Sequence, residues 1–417
     1  MHTRFWQWLL LSLALEGAAL RTHGPSSWYR PEFSTIGVEN KWYRPEFLNI
    51  GTKEAEDSTQ AAGTSGPQPV SIGQTACRPE GSCGGPCQPL STPARRYNLT
   101  ENFQGAGLAE GNPKKAVCEV RELEGYVSVE HAPHAAQVLY KCWSWWRMHP
   151  QAEPVLVDYS YRFVFRKAET FAVGLWDNLR RLGVKTISKA EFDWWNVADA
   201  AVVTPKPHSG WPDAEEQWFI EEEHAHEFRD AVLASLHGAA PQWPLQVAHH
   251  RQPQLSKQPR IGLLQRDGAR KLLGQEAILA ALRERRLGPV DWATLTNKSY
   301  NEQVEFMNSH DIIVSPHGWQ LTSVPFMPDC GGVLEVFPRY YWIPGFFGTL
   351  ARNSGIEHMG LYISPEGPAE ALIAVTDANV RRETRKVDIC APVDQIVNAV
   401  QELVARRERC LAQRSAK

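Results

Sequence analysis

The stretch Ile312-Ile313-Val314-Ser315-Pro316-His317-Gly318-Trp319-Gln320-Leu321-Thr322 is the most informative run in this chain. A short apolar segment runs into Pro-His-Gly, and a polar, helix-compatible segment follows. Short apolar runs bounded by turn residues read as fully buried strands. In open parallel sheets, ligands sit at the carboxyl ends of strands. A histidine and a glycine at that place therefore need a reason. Glycine lets a ligand approach the backbone closely, and free amides at the start of a following helix can bind phosphate oxygens. His317 can donate to an anion, and Thr322 adds a hydroxyl.

On both sides of this run the chain alternates helices and short apolar strands. Upstream, Ile261 to Gln265 reads as a strand, Gln275 to Leu287 as a helix and Val290 to Leu295 as a strand. Ser299-x-x-Glu302 is a capping box that opens another helix, with Tyr300, Val304 and Met307 on one face. Gly332 to Phe337 is the next strand downstream of the opening run. Earlier still, His134 to Trp146, Glu169 to Gly183 and Glu221 to Leu236 read as helices, and Pro154 to Val157 and Ala200 to Val203 as strands. A proline-rich connection separates this earlier half from the later one. The pattern predicts an α/β fold with parallel sheets covered on both faces. The expected halves are residues 115–250 and 258–375.

Composition sets the outer bounds. The chain has 417 residues, 43% hydrophobic and 22% charged, with a net charge of −3. That balance argues against a dedicated nucleic-acid binder, which would normally be basic. Arg4 precedes the run Phe5 to Leu15, which is too short to span a bilayer and fits the core of a signal peptide. Residues 1–20 are expected to be a signal peptide or short anchor, with membrane contact only if this segment stays uncleaved. Residues 21–114, rich in Gly, Pro, Ser and Thr, read as a low-order stem. Inside them a tandem repeat stands at Trp28 to Gly37 and Trp42 to Gly51, too few copies for a solenoid. The 8 cysteines suit an oxidising lumen. Cys77, Cys83 and Cys87 lack metal-finger spacing, so disulfides are expected there. Asn98 and Asn297 stand in glycosylation sequons. The Glu221 to His226 cluster reads as a solvated acidic helix face, not a metal site.

Three strand regions of the later half bring chemistry to their ends. Arg266 and Arg270 follow Ile261 to Gln265, and arginine suits bidentate phosphate recognition. His317-Gly318 follows the opening strand. Glu335 sits inside an apolar run, where a carboxylate accepting from ribose hydroxyls is a familiar solution in nucleotide sites. The set suits a nucleoside diphosphate.

At this point the chain resembles glycosyltransferase family 61, the group of plant β-1,2-xylosyltransferases and extracellular O-GlcNAc transferases. The resemblance rests on His317-Gly318, Leu321-Thr322, Phe326-Met327-Pro328 and Glu335-Val336-Phe337-Pro338 after an apolar strand. Arg266 and Arg270 match the family's upstream Arg-x-x-x-Arg element, and His134 matches a histidine near its early helix. It covers roughly residues 115 to 365 and is more specific in the later half. It implies a GT-B-like pair of Rossmann-like domains facing a cleft, and inverting transfer of xylose or N-acetylglucosamine from a UDP-sugar to a glycan or protein acceptor. It also implies work in the Golgi or endoplasmic reticulum lumen, with no metal and no other cofactor. The absence of an Asp-x-Asp pair from the sequence agrees with the metal-free expectation.

On this reading Arg266, Arg270, His317, Gly318, Trp319, Leu321, Thr322 and Glu335 hold the nucleotide sugar. His317 is also a catalytic candidate, and His134, then Glu130, are the base candidates from the facing half. Trp319, Ser323 and Gly274 depart from the family pattern. They keep open an inactive member that only binds nucleotide or glycan. A secreted structural or adhesive protein is a further alternative, but it leaves the strand-end residues unexplained. Pro392 to Ala412 carries an apolar stripe from Val393 to Val404. This last helix, 391–412, is expected to pack back on the first domain.

Overall fold

The chain divides into two units, Met1–Thr64 and Ser65–Lys417. The computed structural model describes residues 90–91, 103–104, 112–120, 131–158, 170–195, 199–206, 218–239, 243, 258–363, 380, 383–390 and 392–415, all in the second unit. The signal segment, the tandem repeat, Cys77, Cys83, Cys87, Asn98 and Glu130 lie outside these residues.

Two parallel sheets organise the unit. The first is ordered β2-β6-β3-β4-β5, from β2 (Phe103–Gln104), β3 (Lys115–Val120), β4 (Glu153–Asp158), β5 (Lys185–Ser188) and β6 (Ala200–Pro205). Its four longer strands are parallel and follow the order of a Rossmann half, with the switch point between β3 and β6. The second is ordered β1-β12-β11-β10-β7-β9. Its strands are β1 (Leu90–Ser91), β7 (Ile261–Gln265), β9 (Val290–Thr294), β10 (Ile312–Pro316), β11 (Gly332–Phe337) and β12 (Glu357–Tyr362). Apart from antiparallel β1 they are parallel, in the flavodoxin-like order, and the switch point lies between β7 and β10. A small parallel pair joins β8 (Leu272–Leu273) to β13 (Ile389–Cys390).

Two strands correct the stem expectation. β1 and β2 fall inside residues 21–114, yet each adds an antiparallel edge strand to a sheet. Two-residue strands leave no periodic signal in the sequence. Their pairing is set by the edge that receives them.

Helices fill the space between the sheets. From the first half come α1 (Ala132–Met148), α2 (Thr170–Arg181) and α4 (Glu222–Leu236). From the second come α6 (Tyr300–Asn308), the 3-10 helix η1 (Trp319–Phe326) and α7 (Pro344–Asn353). They share one buried cluster that includes Trp143, Phe171, Phe228, Tyr300, Phe326 and Phe347. Polar bonds cross the same layer: Tyr140 Oη donates to Thr322 O at 3.2 Å, and Trp218 Nε1 to Phe346 O at 3.0 Å. A Cβ on Gly174 of α2 would collide with the Tyr300 ring, so this glycine lets the two helices touch. The halves therefore meet through a continuous core in this layer. Among the described residues, the outer face of the first sheet carries the short α3 (Lys189–Asp193), with Phe192 and Trp195 over Val117, Val155 and Ile187.

The last helix departs from expectation. α8 (Val393–Ser415) lays Ile396, Val397, Val400 and Leu403 on the outer face of the second sheet, beside α5 (Gln275–Glu284). It does not return its apolar stripe to the first domain. The reason is that Ile312, Val314, Leu334, Val336, Met359 and Leu361 form an outward apolar face that needs a cover. Its last turn reaches the first half, where Arg414 lies 3.6 Å from Glu222.

Candidate active site

Each site element follows from local sequence. β10 is buried along its whole length and ends at Pro316, after which His317 N still donates to Val336 O at 2.9 Å. The chain then turns through Gly318, whose backbone is extended (φ 166°). Glycine is thus not required there for its dihedral angles. It is required for space: a Cβ would collide with Arg266 Nη1 and meet Gln320 Oε1 at 2.5 Å. Arg266 lies across the bare backbone, donating from Nη1 to Gln320 Oε1 (2.8 Å) and from Nε to Ala269 O (2.8 Å). Gln320 in turn donates to Ser315 Oγ and Pro316 O. The His-Gly turn and the arginine loop are built as one piece.

Behind this turn lies a buried chain of three titratable groups. His317 Nδ1 is 2.6 Å from Glu335 Oε1, and His358 Nε2 is 2.9 Å from Glu335 Oε2. Glu335 and His358 are 0% exposed. Burial raises the Glu335 carboxyl well above its usual range, and the Arg270 charge works against that. Burial, then Arg270, Arg385 and Arg266, lower His317 well below the ordinary imidazole value. Burial, assisted by Arg352, takes His358 down to about 3. Both imidazoles are therefore held neutral, each with a ring nitrogen within hydrogen-bond distance of one Glu335 oxygen. Phe337, Tyr341 and Phe347 surround the ring at centroid distances of 5.2, 5.1 and 5.5 Å.

In front lie the cations. Arg270 adopts φ 66°, and its Nε is buried with no hydrogen-bond partner. A buried guanidinium nitrogen without a partner is costly in a finished fold and expected in an anion site. Burial lowers the Arg270 pKa, with Arg385 adding to the effect, while Tyr341 and Glu335 oppose it. Arg270 and Arg385 stand 5.8 and 5.3 Å from the Tyr341 ring centroid. A pocket opens at the switch point, beside Arg266. The end of β7 lines it with Gln265, Arg266, Asp267 and Gly268, the end of β9 with Leu295 and Thr296, and η1 with Trp319 and Gln320.

The structure thus brings Arg266, Arg270, His317, Gly318 and Trp319 together, and it reassigns three expected binding residues. Glu335 is fully buried with both oxygens on histidines, so it holds His317 and is not open to a ribose. Leu321 is 0% exposed and belongs to the shared core. Thr322 Oγ1 donates to Trp319 O at 2.6 Å, so its hydroxyl is committed to the turn. His134 lies in the first turn of α1, its ring 5.4 Å from that of His131. Asn297 is exposed at φ 64°, beside the pocket residue Thr296. The sequence reading missed Arg385, Tyr341, His358 and Gln320. Gln320 lay inside the quoted run; the others come from segments with no motif.

Disulfides join Cys118 to Cys142 and Cys330 to Cys410, and Cys390 is also disulfide-bonded. Among the described residues no helix is long and apolar enough to cross a membrane. Residues 198–334, from just before β6 into β11, match the family model described as Glycosyltransferase 61. No curated protein matches the chain.

Proposed function

We propose that this chain, which residues 198–334 make a member of glycosyltransferase family 61, transfers a sugar from a UDP-sugar to a glycan or protein acceptor with inversion. The observation that carries this reading is the partnerless buried Nε of Arg270, set beside Arg266 and His317 at the switch point of the second sheet. In an inverting displacement the acceptor oxygen attacks the anomeric carbon. The bond to the diphosphate oxygen breaks with its electron pair, and the hydroxyl proton passes to a base. The difficult charge is that of the leaving diphosphate. Arg266, Arg270 and the first amides of η1 are placed to bind it, in the role that a metal ion fills in other transferases. His317 lies in the turn backed by Glu335, beside these arginines, suited to contact the acceptor hydroxyl.

The acceptor base belongs to the first half on this reading, with His134 and Glu130 as candidates. Xylose and N-acetylglucosamine are the proposed sugars, and Trp319 in the pocket wall is the residue placed to choose between them. Operation in the secretory lumen is supported by the disulfides, which persist in oxidising compartments.

The test uses purified, disulfide-intact protein. Titration calorimetry should detect UDP, and Arg270→Ala should weaken it by roughly tenfold or more. Hydrolysis of UDP-xylose or UDP-N-acetylglucosamine should proceed unchanged in EDTA. Absence of UDP binding removes the reading. Binding without turnover of any donor, across a panel of glycan acceptors, identifies an inactive binder instead.

A further inference from the structure

We propose that Arg385 is a third phosphate-binding arginine of this site, carried to it by a strap that the sheet itself does not contain. The proposal rests on the transferase reading and adds a residue to it.

The strap is residues 383–390, which follow β12 in sequence after an intervening segment. Its end is registered on the arginine loop. Ile389 pairs with Leu272 and Cys390 with Leu273 in the small parallel sheet. Ile389 N donates to Lys271 O at 2.7 Å, and Lys271 N donates to Asp388 Oδ1 at 2.9 Å. Arg270 is the residue immediately before this junction. The strap and the loop bearing Arg266 and Arg270 are therefore hydrogen-bonded as one unit, and the disulfide at Cys390 secures the strap further.

Arg385 reaches the same ring as Arg270. Its Nε donates to Tyr341 Oη at 3.2 Å, and its guanidinium carbon stands 5.3 Å from the ring centroid, against 5.8 Å for Arg270. Tyr341 also packs edge-on against His317 at 5.1 Å. One tyrosine thus spaces two arginines and the site histidine. Among the described residues neither Arg270 nor Arg385 forms an ion pair with a carboxylate, and the nearby Glu335 has both oxygens on histidines. Like charges gathered without counter-charge repel, and the arrangement is held by the strap, the tyrosine and the loop instead. Such a cluster binds a multiply charged anion, and planar guanidinium groups suit phosphate oxygens. Arg270 is the inner contact and Arg385, which is exposed, the outer one.

The experiment is calorimetric titration of the intact protein with UDP, inorganic pyrophosphate and uridine, comparing wild type with Arg385→Ala and Arg385→Lys. Arg409→Ala, on the far side of α8 and paired with Glu402, controls for lost surface charge. Arg385→Ala should weaken UDP and pyrophosphate by about tenfold or more and leave uridine unchanged, with Arg385→Lys between. Arg409→Ala should match wild type, and the melting temperature should not move, because Arg385 packs no core. If wild type binds UDP and pyrophosphate but Arg385→Ala binds them equally well, the strap is structural and this proposal is wrong while the transferase reading stands. Equal weakening by Arg409→Ala reduces the effect to bulk charge and also overturns it. If wild type binds neither anion, both readings fall.

Discussion

At the scale of single residues, the most informative position is Gly318. Its backbone is one that any residue adopts, so its requirement is steric and set by Arg266 first and Gln320 second. Gly318→Ala should displace the guanidinium and weaken UDP binding by about tenfold. In an Arg266→Ala background the same change should cost less, because only the Gln320 contact is left to give way. A double-mutant cycle with additive losses would contradict this account. His358 makes a second residue-scale prediction, about acid. Its folded pKa is lowered to about 3, so between about 6.5 and 3 the unfolded chain binds a proton there that the folded chain does not, and His317, lowered too, acts in the same direction. Glu335, raised by burial, opposes them with one proton against two. Stability should therefore fall as pH drops below about 6.5, by up to about 1.4 kcal/mol per unit for each net proton. His358→Gln keeps a donor near Glu335 but does not titrate, and denaturation at pH 7 and pH 5 should show a smaller difference than in wild type.

At the scale of elements, the capping box was legible because it is local. Ser299 Oγ accepts from Glu302 N at 3.3 Å, and Ser299 N donates to Glu302 Oε2 at 2.8 Å, as the spacing alone predicts. Ser299→Ala should cost about 1 kcal/mol in chemical denaturation and shift the midpoint without changing the slope. An unchanged midpoint would mean that the core contacts of Tyr300 and Val304 hold α6 without the cap. The segment after Gly318 shows the opposite case. Its sequence is compatible with a helix, but Pro325 removes a donor near its end, and the observed turn is the tighter 3-10 form over Trp319–Phe326. That tightness directs the Thr322 hydroxyl inward to Trp319 O, where the sequence left it free for a ligand.

At the scale of the whole molecule, the second sheet depends on a cover supplied from the far end of the chain. The Cys330–Cys410 bridge ties the turn before β11 to α8 across a sequence separation of 80. Replacing both cysteines by serine should lower stability by about 2–4 kcal/mol, chiefly by freeing the unfolded chain. The change should leave UDP affinity nearly unaltered, since α8 lies on the face of the sheet away from the shared core. A large loss of affinity with little loss of stability would show that the bridge shapes the site itself.

The sequence by itself determined the alternating elements, their α/β class and the strand ends that carry Arg266, Arg270 and His317. Each of these is written in residues near one another, as periodicity, capping and turn chemistry. Tertiary structure decided what the side chains at those ends do. Glu335 became the holder of His317 because β12 delivers His358 to its other oxygen, and a strand's neighbour is not encoded in the strand. Arg385 and Tyr341 joined the site through a strap and a turn without any motif. The destination of α8 was settled by which face of which sheet lacked a cover, a property of the assembled fold. Local chemistry reads out over a few residues, whereas contacts between distant segments exist only once the sheets have formed.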